Sequence, residues 1–130
     1  MLKRKVYQEL LKWKENTEGK ALCIIGARQI GKTTLIREFG KNEYEHFAEI
    51  NFVTDEKAAD IFNDKLTAEA IITNLTAYLQ TPLEPGKTLI LFDEVQECPA
   101  VRSAIKFLVE DGRFDYIESG SLLGVRYKEV

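Results

Sequence analysis

The sequence has few of the residues from which metal centres, disulfide frameworks and membrane spans are built. Its two cysteines, Cys23 and Cys98, lack metal-binding spacing, and its single histidine, His46, has no second histidine with which to form a cluster. No apolar run approaches the ~20 residues that a membrane-spanning helix needs. We therefore expect reduced, partly buried thiols, a structural or surface-exposed histidine, and no membrane span.

Charged residues of both signs are present but unevenly distributed along the 130 residues. The net charge is −3, yet residues 1–40 contain nine Lys or Arg against four Asp or Glu, and residues 41–130 contain nine against seventeen. The overall acidity argues against nucleic acid as a partner, whereas the basic first part, with Arg28, Lys32 and Arg37, favours an anionic small ligand. The N-terminus lacks the apolar stretch of a signal peptide, so we expect a cytoplasmic protein.

Short apolar runs alternate with segments of helical spacing, which is typical of an α/β fold with a mostly parallel sheet covered on both faces. Strands are predicted at residues 21–25, 46–53, 88–92 and 114–119. Helices are predicted at residues 2–15, 33–39, 56–62, 67–78 and 99–111, with Gly40 ending the second, Thr67 capping the fourth and Pro99 opening the fifth. The length fits a single domain over residues 1–130.

The segment GARQIGKT, at residues 26–33, matches the phosphate-binding pattern G-x-x-x-x-G-K-[ST]. It lies between a predicted buried strand and a predicted helix, which is the context that distinguishes this pattern from an accidental glycine turn. Glycines let the backbone direct its N–H groups at phosphate oxygens, and the start of the helix adds its positive end. Lys32 would reach the β- and γ-phosphates, and the Thr33 hydroxyl would ligate Mg²⁺. The predicted nucleotide-binding residues are Gly26, Ala27, Arg28, Gln29, Ile30, Gly31, Lys32, Thr33 and Thr34.

Two carboxylates follow the apolar strand LILF, at the sheet edge where ligands of such folds bind. Asp93 is predicted to hold Mg²⁺, and Glu94 to orient or deprotonate an attacking water. The alternative is that these two residues only begin a surface loop.

Polar side chains later in the sequence than Asp93 and Glu94 could also face the γ-phosphate. Ser119 is our first candidate for a contact to the γ-phosphate or to the attacking water, and Ser121 is the second. Gln96 follows the carboxylates and could face the γ-phosphate or cap its own loop. An ordinary Ser-Gly-Ser turn without a nucleotide contact is the competing interpretation, since Ser and Gly dominate turns.

With GARQIGKTT, LILFDEVQ and SGS in this order, the sequence resembles a prokaryotic family of AAA-type P-loop ATPases, similar to the AAA+ and STAND branches. The resemblance covers nearly the whole chain, including the N-terminal helix at residues 2–15. It implies a three-layer P-loop sandwich with strand order 5-1-4-3-2, ATP as the nucleotide and Mg²⁺ as the metal. It also implies Lys32 and Thr33 at the phosphates and metal, Asp93 at the metal and Glu94 as the catalytic glutamate.

The chain departs from the family pattern after the third motif. Four strands are predicted where the family core has five, so we expect a sheet that is incomplete at the C-terminus and a lid and C-terminal domain that are absent. A free edge at the place of the fifth strand would favour a homo-oligomer. Arg102, Arg113 and Arg126 are candidates for an arginine finger, although we favour solvated surface arginines for all three.

Four functions compete on these observations. The leading hypothesis is Mg²⁺-dependent ATP binding and hydrolysis, with Lys32, Glu94 and Ser119 as the catalytic residues. The alternative is a nucleotide-gated switch or binding module with negligible hydrolysis, which the missing C-terminal part would favour. A small-molecule kinase is disfavoured because Glu94 beside Asp93 indicates a water nucleophile, and a DNA-processing motor is disfavoured by the net charge.

Overall fold

The computed structural model of the chain describes residues 2–17, 19–26 and 31–121. It contains four parallel strands and four α-helices within these residues, together with two short 3₁₀ helices, Glu56–Phe62 and Val95–Glu97. The strands are β1 (Leu22–Gly26), β2 (His46–Asn51), β3 (Thr88–Asp93) and β4 (Asp115–Ser121). The helices are α1 (Leu2–Glu15), α2 (Lys32–Glu43), α3 (Ala68–Leu79) and α4 (Pro99–Asp111).

The four strands form one sheet in the order β1-β4-β3-β2. All three pairings are parallel, and β4 carries Ser119 directly opposite Ile24 of β1. This confirms the predicted α/β class and the implied position of the first strand beside the strand of Ser119. Because the strands are parallel, their carboxyl ends meet at one edge, which brings Gly26, Asp93 and Ser121 to the same side of the sheet.

Helices cover both faces of the sheet and make the three-layer sandwich that the resemblance implied. One core lies between the sheet and helices α1 and α2, and it contains Leu10, Ile36, Phe39, Leu89, Leu91 and Ile117. The other lies between the sheet and helices α3 and α4, and it contains Ile71, Leu75, Ile90, Phe92, Val101, Leu108 and Tyr116. All six residues of β3 are buried, as expected of a central strand in a parallel sheet with two covered faces.

The helix boundaries mostly follow the predicted signals. The Thr67 hydroxyl accepts a hydrogen bond from the Ala70 N–H at 3.2 Å, and Pro99 occupies the first turn of α4. Gly112 ends α4 with φ of 80°, a left-handed conformation that glycine adopts without steric cost. The predicted helix at residues 56–62 is a 3₁₀ helix instead of an α-helix.

The prediction that Gly40 ends the second helix is wrong. Helix α2 continues to Glu43, and Gly40 is buried inside it. A Cβ atom at this position would lie 2.2 Å from Cδ1 of Phe47, a residue of β2. The glycine therefore allows a close approach between helix and sheet, a requirement that a local sequence pattern does not show.

Strand β2 is also shorter than predicted and ends at Asn51. The Asn51 side-chain oxygen accepts hydrogen bonds from the backbone N–H groups of Val53 and Thr54, at 2.8 and 3.0 Å. This local turn takes the chain out of the sheet two residues before the predicted end.

The histidine lies closer to other possible metal ligands than the sequence indicated, because one ligand atom each of Glu45, His46 and Glu84 lie within 4.8 Å of one another. Both thiols are free. Cys98 is buried, whereas Cys23 is exposed, contrary to the expectation of partial burial, and desolvation by the surrounding protein raises the pKa of each thiol above its ordinary value. His46 is exposed and contacts Glu84. No helix in the described part of the chain is both long and apolar enough to cross a membrane.

Candidate functional site

The glycine loop leads from the end of β1 into the start of α2. Gly31 precedes the helix with φ of 102°, a value in the left-handed region that glycine tolerates and other residues rarely adopt. Having no side chain, Gly31 leaves the first N–H groups of α2 without a side-chain cap, so these donors suit an anion. The remaining predicted loop residues, Ala27, Arg28, Gln29 and Ile30, lie outside the described residues.

Lys32 connects the loop to the neighbouring strand. Its Nζ atom donates a hydrogen bond to the backbone carbonyl of Gly120 at 2.6 Å, and the side chain is half-buried. The two residues are 88 positions apart in sequence and meet because β1 and β4 are adjacent. The ammonium group therefore lies at the carboxyl edge of the sheet, where the sequence predicted a phosphate. Thr34, which follows in the first turn of α2, is exposed.

Asp93 is the centre of the polar cluster at this edge. Its side chain is 4% exposed, and its Oδ1 atom accepts hydrogen bonds from the Ser119 hydroxyl at 2.6 Å and from the Glu94 N–H at 2.9 Å. The hydroxyl of Thr33 lies 3.4 Å from the other carboxylate oxygen, Oδ2. The structure thus brings together Thr33 and Asp93, the two residues predicted to hold a metal.

The donor set of this cluster suits Mg²⁺. A carboxylate and a hydroxyl offer only oxygen ligands, which is the preference of this hard cation. Oδ1 is held by Ser119 and by the backbone, so Oδ2, which lies beside the Thr33 hydroxyl, is the carboxylate oxygen that would hold a metal. We conclude that the described side chains fit the metal that the motif implies.

Ser119 is fully buried, and its hydroxyl donates to Asp93. It lies inside β4, which continues to Ser121, instead of at the end of the strand as predicted. The side chain of Ser121, the second candidate, lies outside the described part of the chain. The contact with Asp93 indicates that Ser119 can orient the carboxylate.

Glu94 has a strained backbone. Its φ and ψ angles of 59° and 46° lie in the left-handed region, which costs a non-glycine residue about 1–2 kcal/mol. Within the described ranges, Gln80 is the only other non-glycine residue with positive φ, and it occupies the C-cap of α3, a common place for this conformation. The strain turns the chain sharply after Asp93, and Gln96 Nε2 then donates to Glu94 Oε1 at 2.7 Å.

The arginines that were candidates for an arginine finger fit that role poorly. Arg113 is paired with Asp111 at 2.9 Å and with Glu69 at 3.3 Å, Arg102 is exposed, and Arg126 lies outside the described residues. Arg37, which was expected to add to a positive field, is paired through two nitrogens with Glu49, at 2.6 and 2.8 Å.

Glu118 is a residue near the site that the sequence reading missed. It is 6% exposed, its Oε1 atom is buried without a hydrogen-bond partner in the described part of the chain, and burial raises the pKa of its carboxyl group above the ordinary value. It lies opposite Cys23 of β1 and Phe92 of β3 in the sheet register. The available signal in the sequence was a carboxylate that directly follows Tyr116 and Ile117 within a predicted strand.

Comparison with known proteins agrees with this fold and motif set. Residues 18–130 match a family model described as an AAA domain. The fold is similar to that in the structure of PCH-2 from C. elegans, with a TM-score of 0.54 and 13% sequence identity. The match covers 92% of this chain and 37% of that chain, so the chain spans well under half of the length of this structural relative, and the likeness concerns the fold alone. No curated protein sequence matches the chain.

Proposed function

The chain belongs to the AAA domain family, and from this premise we propose that it binds ATP with Mg²⁺ at the carboxyl edge of its sheet and hydrolyses the γ-phosphate. The observation that carries the proposal is the meeting of Thr33 and Asp93, which are 60 positions apart in sequence, beside the ammonium group of Lys32. A hydroxyl, a carboxylate and a positive charge at a helix start are the groups that a magnesium nucleotide requires.

In this proposal Lys32 binds the β- and γ-phosphates. Its ammonium group exchanges the Gly120 carbonyl for phosphate oxygens, so the lysine moves from a neutral acceptor to a charged one. The N–H groups at the start of α2 and the loop backbone add further donors. Together these groups stabilise the negative charge on the phosphoryl oxygens during the reaction.

Thr33 and Asp93 would hold the metal, which supplies positive charge to the β- and γ-phosphate oxygens. Ser119 and the Glu94 N–H keep the Asp93 carboxylate in one orientation. Glu94 accepts a proton from the attacking water, the water oxygen bonds to the γ-phosphorus, and the bond from the γ-phosphorus to its bridging oxygen breaks to give ADP and phosphate.

A nucleotide-gated switch with negligible turnover is the second candidate, and one observation favours it. The polar groups of the site satisfy one another: Lys32 is bound to Gly120, and Asp93 accepts from Ser119 and from the backbone. Nucleotide must therefore displace an internal hydrogen bond, which couples binding to the position of β4. This candidate predicts an ATP-dependent change in oligomeric state with little phosphate release.

The test is a calorimetric titration with Mg²⁺ and ATP, with phosphate release followed in the same sample. Lys32→Ala should abolish detectable binding, whereas Lys41→Ala, at an exposed lysine of the same helix, should bind like the unmodified protein. Unchanged affinity in Lys32→Ala would refute the assignment of the phosphate site.

Glu94→Gln separates hydrolysis from binding. We expect its affinity for ATP to persist and its turnover to fall by roughly 10²–10⁴-fold, the usual contribution of a general base. Equal turnover in the variant and the unmodified protein would exclude Glu94 as the base. Binding without turnover in the unmodified protein would favour the switch.

A further inference from the structure

Gln96 lies next to the proposed catalytic glutamate, in the 3₁₀ helix that follows it. The helix is fixed by two backbone hydrogen bonds, from Glu97 N–H to the Glu94 carbonyl and from Cys98 N–H to the Val95 carbonyl, each at 3.0 Å. Val95 is 1% exposed, so the helix is anchored in the core. Gln96 is therefore held on a short, rigid segment whose first backbone contact is Glu94 itself.

The amide of Gln96 is directed at the Glu94 carboxylate. Its Nε2 atom lies 2.7 Å from Glu94 Oε1. A carboxylate without a proton only accepts hydrogen bonds, so the NH₂ group, and not the carbonyl oxygen, must face it. The contact is a hydrogen bond to a charged group, which is among the stronger kinds in proteins.

The other end of the same amide has no partner among the residues that the structure describes. Gln96 Oε1 is buried there and forms no hydrogen bond with any of them. A buried acceptor without a partner destabilises the folded state, and this cost offsets the stability that the hydrogen bond to Glu94 contributes. The glutamine therefore adds little net stability to the loop, whereas its donor restricts the position of the Glu94 carboxylate.

The backbone of Glu94 points to the same explanation. Its left-handed conformation is strained and persists only because the surrounding structure imposes it. This turn fixes the Cα–Cβ direction of Glu94 but leaves the torsions of its long side chain free. The Gln96 hydrogen bond restricts that remaining freedom.

We propose that Gln96 is a positioning residue that holds the Glu94 carboxylate in the orientation from which it accepts the proton of the attacking water. The proposal rests on the proposed function and adds a residue to it. In the step, the water oxygen bonds to the γ-phosphorus, its proton passes to Glu94, and the bridging oxygen leaves with ADP. Gln96 gains and loses no proton.

The test compares Gln96→Met with the unmodified protein in ATP hydrolysis and in thermal unfolding. Methionine has a similar length and no donor, so we expect kcat to fall by roughly 10–100-fold, the scale of a small misplacement of a reacting group. The KM for ATP should stay nearly constant, and the unfolding temperature should change little, because the lost hydrogen bond to Glu94 and the removed buried acceptor offset each other. Gln80→Met, at an exposed glutamine, should alter neither kcat nor KM.

A double variant decides whether Gln96 acts through Glu94. In a Glu94→Gln background, Gln96→Met should cause no further loss of turnover, because the group that it positions has been removed. An equal loss in both backgrounds, or a lower unfolding temperature that accompanies the loss, would overturn the proposal in favour of a structural role. If methionine prevents folding, Gln96→Ala carries the same expectations.

The remaining outcomes separate this proposal from the proposed function. Turnover in the unmodified protein with an unchanged kcat in Gln96→Met would overturn the role of Gln96 alone. ATP binding without turnover in the unmodified protein would overturn both the hydrolysis and the positioning role, while the nucleotide site would stand.

Discussion

At the scale of single residues, the orientation of Asp93 at the carboxyl edge of the sheet depends on hydrogen bonds from its neighbours. Asp93 is oriented by Ser119, a residue of the adjacent strand, and by the N–H of Glu94. Glu118, the residue before Ser119, lies on the opposite face of β4 and has a buried oxygen that no described residue contacts by a hydrogen bond. These two neighbouring residues of β4 therefore differ in their energetic effect. The Ser119 hydroxyl forms a hydrogen bond in the site, whereas the buried Glu118 oxygen forms none with the described residues.

Glu118 predicts a pH dependence of stability. Because burial raises the pKa of its carboxyl group, the folded chain keeps a proton that the unfolded chain releases near the ordinary pKa of 4.5. Stability therefore falls as the pH rises from 4.5 through the raised pKa. Arg102 opposes this shift but does not cancel it. Glu118→Gln should remove this loss of stability. The free energy of unfolding of the variant should therefore exceed that of the unmodified protein only slightly below pH 4.5 and by more toward neutral pH.

Urea unfolding at several pH values measures this advantage. Glu110→Gln, which removes the same charge from an exposed position of α4, is the matched control and should not reproduce the trend. A constant difference between Glu118→Gln and the unmodified protein at all pH values would contradict the prediction.

At the scale of elements, the packing of α2 against β2 determines how the proposed phosphate-binding helix lies on the sheet. The Tyr7, Phe39 and Tyr44 rings pack edge to face within this layer, with ring centroids 5.7 and 5.8 Å apart. Gly40 provides the space into which the Phe47 ring fits. Because the same helix begins at Lys32, this close contact also sets the position of the predicted phosphate-binding end.

Gly40→Ala is expected to destabilise the protein although alanine favours helices. The gain in helix propensity is about 1 kcal/mol, and the overlap with the Phe47 ring costs about 1–3 kcal/mol, so we expect a net loss on the order of 1 kcal/mol. Chemical unfolding measures it. In a Phe47→Ala background the overlap is absent, and Gly40→Ala should become stabilising; an equal loss in both backgrounds would show that the ring is not the cause.

At the scale of the whole molecule, the parallel sheet collects groups from distant parts of the chain at one edge. Lys32 follows β1, Asp93 ends β3 and Ser119 lies in β4, and these strands are neighbours in the described sheet although they are far apart in sequence. β1 forms one edge of that sheet, which leaves its outer side as the place where we expect a further strand or a second copy of the chain to pair.

A ligand that binds only the folded chain should stabilise all of it. At a concentration 100 times its dissociation constant, ATP with Mg²⁺ should add about 2.7 kcal/mol to the free energy of unfolding. Thermal unfolding with and without nucleotide measures the shift, which Lys41→Ala should retain and Lys32→Ala should lose. An equal shift in Lys32→Ala would mean that nucleotide stabilises the protein from another site.

The sequence by itself determined the parts of this protein that depend on local pattern. The alternation of apolar runs with helical segments predicted the α/β class, and GARQIGKT and LILFDE predicted which residues would meet at the ligand edge. The α/β prediction is confirmed because apolar strands and helical spacing are encoded within a few neighbouring residues, whereas the roles of the site residues stay predictions.

Only the tertiary structure decided the contacts between elements. The role of Gly40 depends on a ring from another strand, the burial of Glu118 depends on the sheet and helix around it, and the attachment of Lys32 to Gly120 depends on the pairing of β1 with β4. Such distances are fixed by the packing of the sheet and its two helical layers, and residues that are far apart in sequence carry no local signal of them.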